Sequence, residues 1–153
     1  MTYQFVTQWR RQAPVAHVWE EIYHAENWPS WWKGVLAVET LIVGNPNGIG
    51  DAKRYTWRSV LPYKLTFDMT LVEKIPHRRL VGKAYGELEG TGTWAFEEKD
   101  GITYVRYDWQ VRTTRWWMNL VAPIARPFFE WNHDVVMEWG RKALEKRLAA
   151  IQS

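Results

Sequence analysis

Tyr3, Phe5, Thr7 and Trp9 alternate with Gln4, Val6, Gln8 and Arg10, the period-2 pattern of a strand with one buried face. Pro14 opens a different element. From Ala13 to Ala25, Val15, Val18, Trp19 and Ile22 recur at helical spacing while Glu20 and Glu21 face out, which predicts a helix with Pro14 in its first turn. In NWPSWWKGV, Asn27 to Val35, Pro29 and Gly34 bracket a short helical or turn segment carrying Trp28, Trp31 and Trp32. The pattern then returns to strands: Leu36 to Val43, a turn at Gly44 to Asp51, and Ala52 to Val60. Beyond Pro62 comes Tyr63 to Ile75, with Leu65, Phe67, Met69 and Leu71 on one face. Arg79 to Tyr85, Glu89 to Glu98 and Ile102 to Thr113 complete six consecutive strands on short connections, an antiparallel meander.

The last third changes period. Within Val121 to Ile151, Val121, Ala125, Phe128, Val135, Val136, Trp139, Ala143 and Leu144 mark one broad face, and Arg141, Lys142, Glu145 and Lys146 mark the other. Pro123 and Pro127 predict that the regular helix begins near Pro127, behind a kinked or separate turn. The phase aims Phe128, Asn132, Val135, Val136 and Trp139 at the sheet, with His133 at the stripe's edge beside Phe129 and Met137. A one-faced antiparallel sheet must cover its apolar side, and the terminal helix is the element long enough to do so. The predicted class is therefore α+β, a curved sheet wrapped around the C-terminal helix with a cavity between them.

At 153 residues, the length suits one domain, residues 1–153, that buries most of its apolar surface without staples. Cysteine is absent, which removes a thiol nucleophile and a cysteine metal site. No apolar targeting stretch or membrane-length run appears, so a cytoplasmic protein is the default expectation. The net charge of +3 is spread along the chain rather than gathered into a stripe, which argues against nucleic acid as a partner. Twelve Trp are more than a compact core needs, and an aromatic-lined pocket is one place for the surplus.

Three segments carry a family resemblance. Ala13 to Val35 (APVAHVWEEIYHAENWPSWWKGV), Gly86 to Val111 and the tail Ala125 to Leu144 resemble the opening helix with its Trp-rich turn, the central strands and the final helix of the START-like or SRPBCC superfamily, polyketide cyclase/dehydrase branch. The resemblance implies a helix-grip fold with a cavity for a hydrophobic small molecule: a lipid, polyketide or aromatic compound. That scaffold hosts cyclases, lipid carriers and chaperone activators alike. Cyclase/dehydrase activity on the same cavity and a protein-interaction role therefore stand as alternatives.

The residues themselves offer little catalytic apparatus. Glu21 with His24 and Glu130 with His133 repeat a Glu-x-x-His spacing, but a di-iron site needs carboxylates from two further helices, so no metal or cofactor is expected. Ser30, Ser59 and Ser153 are the only serines, none in a nucleophile elbow, and Gly44, Gly48 and Gly50 are turn residues. Acid–base chemistry needs only a positioned proton donor or acceptor in a dry pocket, for which Tyr107, Asn132 and His133 are the candidates. The expected cavity walls are Tyr55, Trp57, Phe67, Met69, Trp94, Tyr107, Trp109, Phe128, Asn132 and Val136. Of the polar pair on the helix, Asn132 rather than His133 is expected to face the cavity. Arg115 to Phe129 is read either as a lid or transient membrane-touching edge, or as a crossover that buries its Trp; the crossover is the plainer expectation.

Overall fold

A computed structural model describes residues 2–58, 64–114 and 116–152, so Ser59, Val60, Tyr63 and Arg115 lie outside the described residues. The elements follow in order: β1 (Thr2–Arg11), α1 (Val15–Tyr23), a 3-10 turn (Ala25–Asn27), α2 (Trp28–Trp31), then β2 (Val35–Ile42), β3 (Ala52–Arg58) and β4 (Lys64–Ile75). After these come β5 (Arg79–Gly86), β6 (Leu88–Lys99), β7 (Ile102–Thr113) and α3 (Trp116–Gln152). One antiparallel sheet runs β1-β7-β6-β5-β4-β3-β2, so the meander from β2 to β7 is closed on its far side by the first strand. In that pairing Phe5 lies opposite Trp109 and Trp9 opposite Val105. Register shifts at Val35/Ala37, Thr40/Ile42 and Leu71/Glu73 add the local twist by which a sheet curls.

The helix α1 begins where the sequence lets it. Pro14 sits at its N-cap with φ −60°, and the Val15 amide, one of the donors a helix start leaves unpaired, donates to the Glu98 carboxylate of β6 at 2.7 Å. At its other end the indole N–H of Trp28 donates to the Glu21 carbonyl at 3.1 Å, so the Trp-rich turn also serves as the cap of α1.

The terminal helix differs from expectation in two ways. It is helical from Trp116, not from near Pro127. A proline in a helix deletes one intrahelical hydrogen bond. Pro127 lies on the exposed side, where water can take up the carbonyl it frees. Its phase also differs: Phe129, His133, Val136, Met137, Gly140, Leu144 and Leu148 face inward, while Phe128 is 60% exposed. The physical reason is a single seat. The indole of Trp32 lies on Gly140, where a Cβ would come within 2.4 Å of Trp32 Cε2, and its Nε1–H donates to the Val136 carbonyl at 2.9 Å. Only a helix turned to present Gly140 to α2 can accept that ring.

Around this seat the tryptophans gather. Ring centroids of Trp32 lie 4.9 Å from Trp28, 5.2 Å from Trp57, 5.6 Å from Trp9 and 5.6 Å from Trp31. Trp94 joins through Trp9 at 5.7 Å. Half of the tryptophan content therefore forms one contiguous mass that joins α2, the sheet and α3, each pair adding about 0.5–1.5 kcal/mol beyond its buried area.

Candidate functional site

The curled sheet does not close completely on the helices. A chamber of about 150 Å³ lies between α3 and the inner faces of β1, β6 and β7, with Tyr3, Phe5, Trp109, Val111, Asn132 and His133 among its walls. A second, of about 280 Å³, lies between the end of α1 with its 3-10 turn and strands β3 to β6. Tyr55, Met69, Leu80, Gly82 and Gly92 line it, and His24, Glu26, Asp51 and Lys53 stand at its mouth. Trp28, Trp57, Phe67, Trp94 and Tyr107 border both chambers, so the aromatic mass is also the partition between them.

Period-2 alternation explains which side chains arrive here. Phe67 and Met69 on β4, Tyr55 and Trp57 on β3, and Tyr107 and Trp109 on β7 all share the concave face. Trp57, Phe67, Trp94 and Tyr107 meet both chambers, Trp109, Asn132 and Val136 the smaller, and Tyr55 and Met69 the larger. Phe128 meets neither, because the rotation of α3 turns it to solvent and puts Phe129 in its place. The walls that sequence reasoning passed over include Tyr3, Phe5 and Trp28. The alternation of β1 already carried the signal for the first two, since Tyr3 and Phe5 share the parity of the buried Trp9.

The polar pair on α3 is also rearranged. Asn132 and His133 both line the smaller chamber, so His133 is not a bystander at the edge. Its ring stacks on Phe5 with centroids 4.3 Å apart, and its side chain is 15% exposed. Nδ1 is buried without a hydrogen bond among the described residues; the nearest carboxylate, that of Asp134, is 3.9 Å away and mostly solvated. Burial lowers the pKa of His133 to about 4, so the imidazole is neutral near pH 7. The Tyr3 hydroxyl on the same wall is likewise buried without a partner among the described residues. Burial raises its pKa against the opposing pull of Arg126, whose guanidinium lies 5.1 Å from the ring centroid.

Tyr55 and Tyr107 have pKa values raised by burial, to which the charge of Glu26 adds for Tyr55 and the neighbouring Tyr55 for Tyr107. Every titratable group that reaches deep into the chambers is therefore uncharged at neutral pH. The Glu-x-x-His pairs do not converge: Glu21 is bound by Arg147, His24 by Glu20 and Glu26, and Glu130 by Arg126. Among the described residues no group of three His, Asp or Glu side chains is placed to hold a metal ion.

From Trp116 the segment ahead of Phe129 is part of α3, and its described aromatics Trp116 and Phe128 are exposed rather than buried in a crossover. Trp116 is 74% exposed, and Leu120, Phe128 and Trp131 stand out beside it on one side of the helix. No helix among the described residues is long and apolar enough to cross a membrane.

A curved seven-stranded antiparallel sheet gripping a long C-terminal helix, with apolar chambers between them, defines the START-like, helix-grip class. Solved structures share this fold across nearly their whole length. A START superfamily protein from Mycobacterium smegmatis superposes with a TM-score of 0.77 at 13% identity, covering 97% of this chain and 98% of its own. The Zhui aromatase/cyclase from Streptomyces sp. R1128 gives 0.74 at 14% identity, with 97% and 94% covered. TTHA0849 from Thermus thermophilus gives 0.75 at 17% identity, with 99% and 100% covered. A search of curated protein sequences finds no match. Residues 4–153 match the family described as polyketide cyclase/dehydrase and lipid transport, and the chain belongs to that family.

Proposed function

We propose that this protein binds a hydrophobic small molecule in the chambers between the sheet and α3, and that binding rather than catalysis is its activity. The observation that carries this reading is the partition: five large side chains, four of them aromatic with a polar edge, form a wall with internal space on both sides of it. Ligand pockets are lined in this way, mostly by apolar and aromatic groups with a few polar atoms set among them. The larger chamber approaches the roughly 300 Å³ at which such pockets begin.

A cyclase or dehydrase on this scaffold needs a proton carrier poised near the working pH. His133, with its pKa near 4 and no carboxylate bound to its ring, is a weak base and lacks an orienting partner. Asn132 does not titrate, and Tyr107 is held as a phenol. This favours a carrier or receptor for a small molecule over an enzyme.

Native mass spectrometry of the protein purified from its own host tests the reading. A discrete small-molecule adduct that is released on denaturation is the expected result. A bare protein mass, together with no binding of any neutral aromatic compound in titration, counts against it.

A further inference from the structure

Tyr55 and Tyr107 stand four steps apart in the sheet order, on β3 and β7. On a flat sheet that is roughly 19 Å, at about 4.8 Å per strand. The curl brings both side chains to the larger chamber. Each ring is fixed by a stack, Tyr107 on Trp94 with centroids 4.1 Å apart and Tyr55 on Phe67 at 5.8 Å. Gly92 leaves the floor open under Tyr107, where a Cβ would lie 2.6 Å from its hydroxyl. Neither hydroxyl makes a hydrogen bond to another group among the described residues, and neither oxygen is sealed from the chamber: Tyr55 is 9% exposed and Tyr107 is partly exposed. Once a ligand displaces water from the chamber, a hydroxyl left without a partner costs free energy, so the occupant is expected to supply an acceptor.

The charges at the mouth, by contrast, are engaged with one another. Lys53 and His24 both bind Glu26, at 3.0 and 2.9 Å, and the Asp51 carboxylate accepts from the Gly44 amide at 2.7 Å. The chamber therefore offers the two tyrosine hydroxyls as fixed, neutral donors inside, while at its described rim Lys53 and His24 are paired with Glu26 and the Asp51 carboxylate is held by a backbone amide.

We propose that Tyr55 and Tyr107 act as a paired donor site that selects a flat apolar ligand bearing an uncharged acceptor oxygen, such as a ketone or quinone, over a plain hydrocarbon. This rests on the ligand-binding reading above and narrows its chemistry. It also separates a functional tyrosine from a structural one. Removing a hydroxyl that only faces the chamber leaves stability unchanged, whereas removing a ligand's partner weakens binding.

The test uses the full chain, Tyr55→Phe, Tyr107→Phe and the double variant, titrated calorimetrically with 9-fluorenone and with fluorene, which share a tricyclic frame and differ by the ketone oxygen. The double variant is expected to bind 9-fluorenone about tenfold more weakly and fluorene with unchanged or higher affinity, while its thermal midpoint stays level or rises. Equal affinity of the wild type and double variant for 9-fluorenone overturns the inference and leaves hydrophobic binding standing. So does a fall in midpoint with parallel losses for both compounds, which marks the hydroxyls as structural. If neither compound binds the wild type, the ligand-binding reading falls and this inference with it.

Discussion

Gly140 is the residue on which the position of α3 turns. In an exposed helix, Gly→Ala stabilises by about 1 kcal/mol. Here the added methyl meets the Trp32 indole and its hydrogen bond to Val136, contacts given by ring atoms that cannot swing away without displacing the aromatic cluster. Gly140→Ala is expected to destabilise by about 1–3 kcal/mol in urea unfolding, reversing the usual sign. His133 gives a second prediction. Its folded pKa of about 4 lies below the ordinary 6.5, so the folded state disfavours the added proton. The resulting stability is fully present above pH 6.5 and is lost as pH falls toward 4. His133→Phe keeps a ring to stack on Phe5 and removes the titration. Between pH 7 and pH 4.5 the wild type should lose about 2–3 kcal/mol more than this variant, read from urea melts at each pH.

At the scale of elements, strands and helix differ in how far the sequence determines them. A strand has two faces, so a correct alternation places Leu65, Phe67, Met69, Tyr107 and Trp109 on the concave side with no further information. A helix can be rotated continuously, and α3 carries aromatics nearly all round: Phe128, Phe129, Trp131 and Trp139. Its phase is set by Trp32, 104 residues away from its acceptor Val136, a contact that no local pattern announces. This is why the periodicity points Phe128 inward where the structure turns Phe129 toward the core. The two prolines mislead for a related reason, since propensity is a local penalty that a long helix can absorb. The corrected phase predicts a contrast: Met137→Ala, at a position 4% exposed, should cost about 2–5 kcal/mol, whereas Phe128→Ala should stay within about 0.5 kcal/mol. Comparable losses from both substitutions in thermal or urea melts would return α3 to the phase its sequence suggests.

For the whole molecule, the surplus of aromatic residues serves two ends at once. Trp32, 1% exposed, joins α2 to α3 and borders only the smaller chamber, while Trp57, Trp94 and Phe67 form a wall with open space on both sides. A sheet that curls around one helix leaves such space unless side chains are large enough to fill it, and here glycines Gly82 and Gly92, paired across β5 and β6, keep part of the floor low. The order of β2 to β7 and the sheet's apolar face could be read from the chain; the docking of β1 beside β7 and the division of the interior into two chambers could not, because they depend on where separate strands, helices and their rings meet. An apolar cavity that a ligand fills should also stabilise the fold, by about 2.7 kcal/mol at a concentration one hundred times the dissociation constant.

The most direct measurement is a calorimetric titration of the wild type and Phe67→Trp with a neutral fluorescent naphthylamine, repeated at several temperatures. Phe67 borders both chambers, so the larger indole occupies internal space without adding charge. The wild type is expected to bind one molecule with a negative heat-capacity change, the mark of apolar burial, and Phe67→Trp to bind at least tenfold more weakly with a folded-state circular dichroism spectrum unchanged. Equal affinity in the two proteins, or no saturable binding to the wild type, would contradict an internal ligand site.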